Sequence, residues 1–312
     1  MRRQVHGILL LDKPINLTSN GALQKVKRLF NAKKAGHTGS LDPIATGMLP
    51  ICFGEATKFS QFLLESDKSY HVVAKLGVNT TTGDSEGEVI STCPVVGVTH
   101  ARIEQVMTKF FGEIEQIPPM YSAIKHQGKP LYELARRGIE VERKSRKVKI
   151  YSLELEKFED DQMTFRVHCS KGTYVRTLVE DIGRELGCGG YVTELRRLMV
   201  APYGNALMYT LRALEVIAET SGFDGLSACL LPVETAVQVF PAVKLSTSAA
   251  FYLRMGQPVR APFQLDSSLV RLMSEDAKFL GIGEVMADGR VKPHRLLSSQ
   301  DIMMPAASAV TS

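Results

Sequence analysis

The stretch GHTGSLDPIATGMLP spans residues 36–50. Glycine and proline interrupt it repeatedly and no period runs through it, so a loop is predicted over its whole length. It mixes apolar and polar residues, which is unusual for a simple connector. Its one carboxylate, Asp42, precedes Pro43, which lacks an N–H to which that carboxylate could bind. The pattern alone leaves two interpretations open: a turn or capping aspartate, or a carboxylate that faces outward.

Several well-known site motifs are absent from the sequence. The spacing Gly36-x-x-Gly39 faintly suggests a phosphate-binding loop, but the Gly-Lys-Ser/Thr ending of a Walker loop does not follow. The Gly-x-Ser-x-Gly elbow of hydrolases is absent. The His-x-Glu and Pro-Cys-x-x-Cys array of zinc base deaminases is absent too. Asp42 is therefore the chemically notable group that this stretch retains.

The flanking segments predict both strands and helices. Apolar runs and alternation predict strands over residues 7–12, 70–76, 148–158 and 163–169. The predicted helices are one capped by Thr18 or Ser19, one near residues 55–64, one capped by Thr99, and one that begins with a Thr177–Glu180 capping box and runs through Leu186.

The character of the chain changes after about residue 238. Segments become short and strand-like, and Asp288-Gly289 predicts a hairpin turn between residues 282–286 and 291–297. We therefore predict two domains, 1–238 and a small β-domain over 239–312. Residues 305–312 are expected to form a frayed end.

Positive charge is concentrated in two segments. The whole chain carries a net charge of +5, yet residues 1–37 alone carry +7 and residues 121–149 carry +6. The remainder is therefore net acidic. Two basic patches on a nearly neutral body suit a groove for a polyanion, although two solvated faces rich in Lys and Arg would look the same.

Cysteine usage and hydropathy indicate a compartment. The five cysteines form no Cys-x-x-Cys pair, which argues against a disulfide framework and against a zinc site. The N-terminal apolar run is too short for a signal peptide, and no run approaches membrane-spanning length. The expected location is the cytoplasm, with no membrane contact.

Five ordered segments together resemble one enzyme family. GHTGSLDPIATGMLP is similar to the active-site loop of pseudouridine synthases of the TruB type. The other four segments are LLDKPINLTSN (10–20), KSYHVVAKLG (68–77), HCSKGTYVRTLVEDIG (168–183) and LRRL (195–198). The last 70 or so residues resemble a PUA domain, an RNA-binding β-barrel. The resemblance thus covers nearly the whole chain.

This resemblance implies a fold and a reaction. The fold would be α+β, with a mixed, largely antiparallel sheet, flanking helices and a small C-terminal β-barrel of the PUA type. The reaction would convert the uridine at position 55, in the T-loop of transfer RNA, to pseudouridine. This isomerisation is redox-neutral, so we expect no cofactor and no metal. The expected partner is the tRNA T-stem-loop, with no obligate protein partner and a monomeric enzyme.

The resemblance also assigns site residues. Asp42 matches the family's nucleophile and Arg176 the arginine that pairs with it. Tyr70 matches a tyrosine that packs against the target uracil and that could help the proton leave C5. The substrate-binding positions fall on His37, Tyr174, Leu195, Lys13 and Pro14. Without the motif, each of these residues reads as an ordinary core or surface residue.

Three further features follow from the comparison with the family pattern. The basic segment 121–149 coincides with a mobile insertion that clamps the RNA, and it places Tyr121 and Tyr132 among its cations. Asn16 stands where the family usually has glycine, and asparagine tolerates positive φ better than most residues. Thr81 stands where many members have aspartate, while Asp84 keeps the following acid.

Other functions stay open on the sequence alone. The chain could be an RNA chaperone that opens and recloses the tRNA elbow, or a pseudouridine synthase acting on another RNA such as ribosomal RNA. The sequence also does not decide whether Asp42 attacks the ribose C1′, attacks the uracil C6, or assists through a glycal-like intermediate.

Overall fold

A computed structural model describes residues 1–204, 206–260 and 267–298. The strands are β1 (Gly7–Lys13), β2 (Ala35–His37), β3 (Ala45–Phe53), β4 (Lys68–Leu76), β5 (Val78–Thr80), β6 (Val89–Thr92), β7 (Gly112–Gln116), β8 (Lys125–His126), β9 (Lys129–Pro130), β10 (Arg146–Glu159), β11 (Gln162–Cys169), β12 (Gly190–Val200), β13 (Tyr209–Thr210), β14 (Ala242–Lys244), β15 (Val259–Arg260), β16 (Leu269–Met273), β17 (Phe279–Val285) and β18 (Arg290–Leu296).

The α-helices are α1 (Ser19–Leu29), α2 (Ser60–Leu64), α3 (His100–Met107), α4 (Leu131–Ala135), α5 (Val175–Leu186), α6 (Leu211–Ala228) and α7 (Thr247–Arg254). Short 3₁₀ helices span Gly54–Phe59, Thr108–Phe110 and Val233–Val237. The backbone of α6 is kinked at Gly222.

A large central sheet organises the chain. Its strand order is β13-β1-β3-β12-β4-β11-β10-β7, and β2 pairs with β3 beside this path. Among the described strands of this sheet, only the β1–β13 and β3–β12 pairs are parallel. The prediction of a mixed, largely antiparallel sheet is therefore confirmed, as are the four predicted strands within it. β12 contacts both β3 and β4, so it joins the segment around Asp42 to the strand that carries Tyr70.

The prediction of one continuous loop over residues 36–50 is wrong. β2 includes Gly36 and His37, and β3 begins at Ala45, so only residues 38–44 lie outside strands. β3 lies between β1 and β12, and eight of its nine residues are buried. A strand buried on both faces loses the alternation of polar and apolar residues by which strands are recognised.

The helix starts confirm two predicted caps and overturn a third. The Thr18 hydroxyl accepts the backbone N–H of Gly21 at 3.0 Å and caps α1. The Thr99 hydroxyl caps α3 in the same way. The predicted Thr177–Glu180 capping box is wrong, because α5 begins two residues before Thr177 and that threonine lies inside its first turn.

The basic segment 121–149 lies only partly outside the central sheet. Between β7 and β10 the chain forms the β8–β9 hairpin and the short helix α4. Residues 146–149 already belong to β10 and pair with β7. The part that projects from the sheet therefore runs over residues 117–145, which we call the insertion.

The C-terminal residues form a second sheet, in the order β14-β16-β17-β18-β15. The predicted hairpin turn at Asp288-Gly289 is confirmed between β17 and β18. This sheet packs against the central one, and the rings of Phe59 and Phe279 lie 5.5 Å apart between centroids. The predicted frayed end, residues 305–312, lies outside the described residues.

Residues of β1 alternate between two buried clusters. Leu9 and Leu11 pack with the apolar face of α1, whereas Ile8 and Leu10 pack on the side where the C-terminal sheet docks. The strand is therefore fixed from both faces, and its end at Lys13 leads directly toward the loop that carries Asp42.

Candidate active site

One side chain and one backbone N–H hold the loop over residues 38–44 from the α1 side. The buried Ser19 hydroxyl donates to the carbonyl of Leu41 at 3.0 Å and accepts the N–H of the same residue at 2.7 Å. The backbone N–H of Asn16 donates to the carbonyl of Pro43 at 2.9 Å. Asn16 has φ 62°, as its tolerance for positive φ predicted. The residues on either side of Asp42 are thereby fixed.

Lys13 ties the end of β1 to the same loop. Its side chain is fully buried, and its ammonium donates to the carbonyls of Pro14 at 2.9 Å, Leu17 at 2.6 Å and Pro43 at 3.4 Å. Burial lowers the pKa of Lys13 to about 8, although the Asp42 carboxylate opposes this shift. An ammonium has three N–H donors, so these three carbonyls can engage all of them.

Asp42 and Arg176 form the ion pair that the motif comparison implied. The Nε of Arg176 lies 3.0 Å from Oδ2 of Asp42. Arg176 is buried in the first turn of α5, whereas the Asp42 side chain retains 38% of its exposure. The carboxylate of Asp42 therefore contacts the arginine and remains partly accessible to a substrate.

The remaining nitrogens of Arg176 are also engaged. Nη1 donates to the carbonyl of Thr82 and Nη2 to that of Tyr121, both at 2.8 Å. Nη1 also lies 3.5 Å from Oδ2 of the buried Asp84. Three chain segments thus fix one guanidinium, whose fork of donors suits such convergent acceptors.

Asp84 is a site residue that the sequence interpretation mentioned but did not assign. Its carboxylate accepts from the hydroxyl of Thr82 and from the backbone N–H of Glu86, at 3.0 Å in the second case. It lies 42 positions along the chain from Asp42, and Arg176 lies between the two carboxylates. The only indication in the sequence was that an acid follows the TTTG segment, residues 80–83.

Opposing effects act on the acidity of Asp42. Burial of its carboxyl raises its pKa above the ordinary value, the Arg176 guanidinium opposes this, and the Asp84 carboxylate adds to the rise. The Arg176 guanidinium therefore favours the ionised carboxylate, whereas burial and Asp84 disfavour it. A carboxylate poised in this way is more basic than one in water and can serve as a covalent or acid–base catalyst.

Arg197 was also missed, apart from its place in the LRRL motif. It is 2% exposed and donates from Nε to the carbonyl of Met48 and from Nη2 to that of Gly39. Burial raises the pKa of Tyr70, whereas the charge of Arg197 and a hydrogen bond from it oppose that rise. Tyr70 is consequently a neutral phenol at pH 7.

His37 lies at the end of β2, just before the Asp42 loop. Burial lowers its pKa and the charge of Arg197 lowers it further, so the imidazole is neutral near pH 7. Its Nδ1 is buried without a hydrogen-bond partner among the residues described. A neutral ring here is suited to stacking on a nucleobase.

The other predicted positions lie on or beside three elements. Tyr174 immediately precedes α5, and the guanidinium of Arg146 lies 5.0 Å from the centre of its ring. Leu195 lies on β12 opposite Ala45 and Val72, and it is buried. Pro14 is exposed at the end of β1. The structure thus pairs Asp42 directly with Arg176, and Lys13 contacts the same loop through the carbonyl of Pro43.

Two observations concern larger features. Within residues 1–204, 206–260 and 267–298, no helix combines the length and apolarity needed to cross a membrane. Across the same ranges, no cluster of three or more His, Cys, Asp or Glu side chains is placed to hold a metal ion.

Three family models match consecutive parts of the chain. The N-terminal domain of TruB family pseudouridylate synthases matches residues 27–175. The C-terminal domain of tRNA pseudouridylate synthase B matches residues 176–238. The C-terminal model of pseudouridine synthase II TruB matches residues 241–297.

Similar proteins include two named tRNA pseudouridine synthase B. The one from Coxiella burnetii (strain RSA 331 / Henzerling II) is 55% identical over 299 residues, which cover 96% of this chain and 97% of that protein. The one from Pseudomonas fluorescens (strain Pf0-1) is 55% identical over 300 residues and covers 96% and 98%.

Solved structures with the same fold are more distant in sequence. An H/ACA RNP bound to a substrate RNA containing 2'-deoxyuridine includes a chain with a TM-score of 0.73 and 25% identity, covering 95% of this chain and 86% of that one. A Cbf5-Nop10-Gar1 complex gives a TM-score of 0.70 and 28% identity, covering 96% and 82%. With relatives this similar over 96% of its length, the chain belongs to the TruB family of pseudouridylate synthases.

Proposed function

We propose that this enzyme isomerises uridine 55 in the T-loop of transfer RNA to pseudouridine, with Asp42 as the nucleophile. The observation that carries the proposal is the Asp42–Arg176 pair, 3.0 Å apart, in a loop whose flanking backbone is fixed and whose carboxylate is still partly accessible. The relatives at 55% identity are named for the same reaction class.

The reaction balances without an added reactant. The N1–C1′ glycosidic bond breaks, a C5–C1′ bond forms with the same base, the C5 proton leaves and N1 gains a proton. A carboxylate can attack and later depart, so it can carry one fragment while the base turns. The target uridine must first leave its stack to reach the Asp42–Arg176 pair, at a cost of a few kcal/mol.

We assign the surrounding rings to the flipped base. Tyr70 is proposed to stack on the uracil; as a neutral phenol it can accept the C5 proton only while passing on its own hydroxyl proton. His37, a neutral imidazole, is proposed to hold the T-loop open. Tyr174 and Leu195 are proposed to line the pocket. We propose that Lys13 holds the Asp42 loop, because backbone carbonyls bind its ammonium. We propose that the exposed Pro14 lies at the rim of the uridine pocket.

The basic segments are proposed to bind the tRNA backbone. Lys33 and Lys34 are exposed just before β2, and Lys125 and Lys129 are exposed on the hairpin of the insertion. Tyr132 lies beside Arg136, whose guanidinium is 5.7 Å from its ring centre. Such cations and rings suit phosphate contacts and base stacking.

We further propose a catalytic domain over 1–238, with segment 121–149 as the RNA clamp, and a PUA-like RNA-binding domain over 239–312. The protein is proposed to act in the cytoplasm as a monomer without an obligate protein partner. Because one structural neighbour is a complex with Nop10 and Gar1, this last point needs its own test: purified chain alone must modify tRNA at full yield.

The test of function uses an unmodified tRNA transcript. Wild type is expected to convert uridine 55, and no other uridine, to pseudouridine, as read by a chemical label that stops reverse transcription. Asp42→Asn is expected to give none. Product at a different position, or equal product from Asp42→Asn, would reject the proposal.

A further inference from the structure

Two residues form the neck at which the insertion joins the central sheet. β7 ends at Gln116, β10 begins at Arg146, and the two residues are paired across the strands. The chain leaves the sheet after one and returns at the other. This pair is therefore the covalent connection through which RNA bound to the insertion acts on the sheet, and the carbonyl of Tyr121 adds a contact with Arg176.

Both neck residues contact Tyr174. Gln116 is 1% exposed, and its side-chain amide meets the Tyr174 backbone twice: Oε1 accepts the N–H at 3.0 Å and Nε2 donates to the carbonyl at 3.2 Å. Arg146 lies over the ring. The N–H, the carbonyl and the ring of one residue are thus all held by the neck.

Tyr174 fixes the start of α5 and so the position of Arg176. It is the N-cap residue of α5, and no side chain of the usual kind caps the helix there. Its carbonyl accepts the first helical bond, from Leu178, together with the bond from Gln116. Arg176 follows two residues later and reaches back to the carbonyl of Tyr121 in the insertion.

We propose that Gln116 is a positioning residue for the chemical step. Its amide sets where α5 begins, and through that turn it aims the Arg176 guanidinium at Asp42 and the Tyr174 ring at the pocket. The neck then couples a docked insertion to a correctly oriented ion pair. This inference rests on the function proposed above. It predicts that substituting Gln116 lowers the rate of the chemical step and leaves the affinity for RNA nearly unchanged.

The chemical requirement on Gln116 is specific. The position needs one donor and one acceptor on the same planar group. A carboxylate supplies only acceptors, whereas a protonated carboxylic acid supplies one of each. Gln116→Glu should therefore lack the bond to the Tyr174 carbonyl at high pH and regain it when the acid is protonated. Gln116→Ala lacks both bonds at every pH.

The experiment measures single-turnover conversion with enzyme in excess over tRNA, together with the tRNA dissociation constant and the melting temperature. Gln116→Ala is expected to slow conversion ~10-fold or more while affinity changes less than about threefold. For Gln116→Glu, the rate relative to wild type is expected to rise as the pH falls from 8 to 6. The control is Glu115→Ala, which removes the bond from the Ser145 hydroxyl at the same neck but touches nothing in α5.

Three results would overturn the proposed role of Gln116. A loss confined to affinity, an unchanged rate for folded Gln116→Ala, or a pH-independent rate ratio for Gln116→Glu would overturn the proposal. If the alanine variant does not fold, the pH dependence of the glutamate variant still decides. Wild type is assayed beside them, so an inactive wild type would instead reject the function itself.

Discussion

At the scale of single residues, Arg176 is the group on which the site depends. Its Nε contacts Asp42, Nη1 contacts Thr82 and Asp84, and Nη2 contacts Tyr121. No other side chain offers five donors in a planar fork, so lysine could supply the charge but not this set of contacts. The pair on either side of it, Asp42 and Asp84, leads to two predictions.

The first prediction concerns stability. Because the folded pKa of Asp42 is raised, the folded state binds a proton more tightly than the unfolded state, and ionising this carboxyl at pH 7 disfavours folding. Asp42→Asn removes that cost and keeps an oxygen for Arg176. We expect a variant without activity whose melting temperature equals or exceeds that of wild type. A drop of several degrees would contradict this.

The second prediction concerns pH. The proposed mechanism requires the Asp42 carboxylate, so activity should fall as pH drops through the raised pKa of this group. The charge of Asp84 contributes to that rise. Asp84→Asn should therefore lower the pKa of Asp42 and move the acid limb of the rate–pH profile to lower pH, while the plateau rate falls because Arg176 loses a partner. Glu88→Gln, at an exposed position next to the same turn, should leave the limb in place.

At the scale of elements, the sequence predicted the motifs and strands that are encoded by neighbouring residues. It did not predict the site residues that long-range strand pairing brings together. Asp42 and Arg176 each lie in a recognisable local motif, and the strands with clear alternation were predicted. β3 was predicted as loop because it is buried on both faces and contains glycine and proline. Asp84 and Arg197 reach the site through pairing of distant strands, which no local period encodes.

Gly47 illustrates such a long-range requirement. It has φ 94°, and a Cβ built there would lie 2.2 Å from the backbone carbonyl oxygen of Arg197 on the neighbouring strand β12. Gly47→Ala should separate β3 from β12 and lower the free energy of unfolding by about 3 kcal/mol. Gly36→Ala is the control, since no heavy atom outside its own residue and its two chain neighbours lies within 4 Å of its Cβ position. Urea denaturation of both variants compares them; equal stability would contradict the packing argument.

At the scale of the whole molecule, charge is distributed unevenly. Net charges of +7 over residues 1–37 and +6 over residues 121–149 exceed the +5 of the entire chain. The two basic segments flank the site in sequence: one runs into His37 and the Asp42 loop, and the other contains Tyr121, whose carbonyl contacts Arg176. Binding of an anionic RNA should therefore be strongly electrostatic.

Salt titration tests this distribution. The logarithm of the tRNA association constant should fall linearly with the logarithm of salt concentration, because each phosphate contact releases counterions. Replacing both Lys33 and Lys34 with alanine should reduce the slope by about 2, one for each cation. Lys157→Ala, which removes a cation already paired with Glu159, should not change it. A flat response for wild type would contradict the assignment of the groove.

The Ser19 hydroxyl has a consequence for how enzyme and RNA meet. This hydroxyl donates to the carbonyl of Leu41 and accepts the N–H of the same residue. The two bonds fix the backbone that precedes Asp42 before any substrate binds. The backbone that carries the acid is therefore ordered during folding and not on RNA binding. On binding, we expect the tRNA loop to rearrange by flipping a base toward Asp42, while the backbone next to Asp42 keeps its conformation.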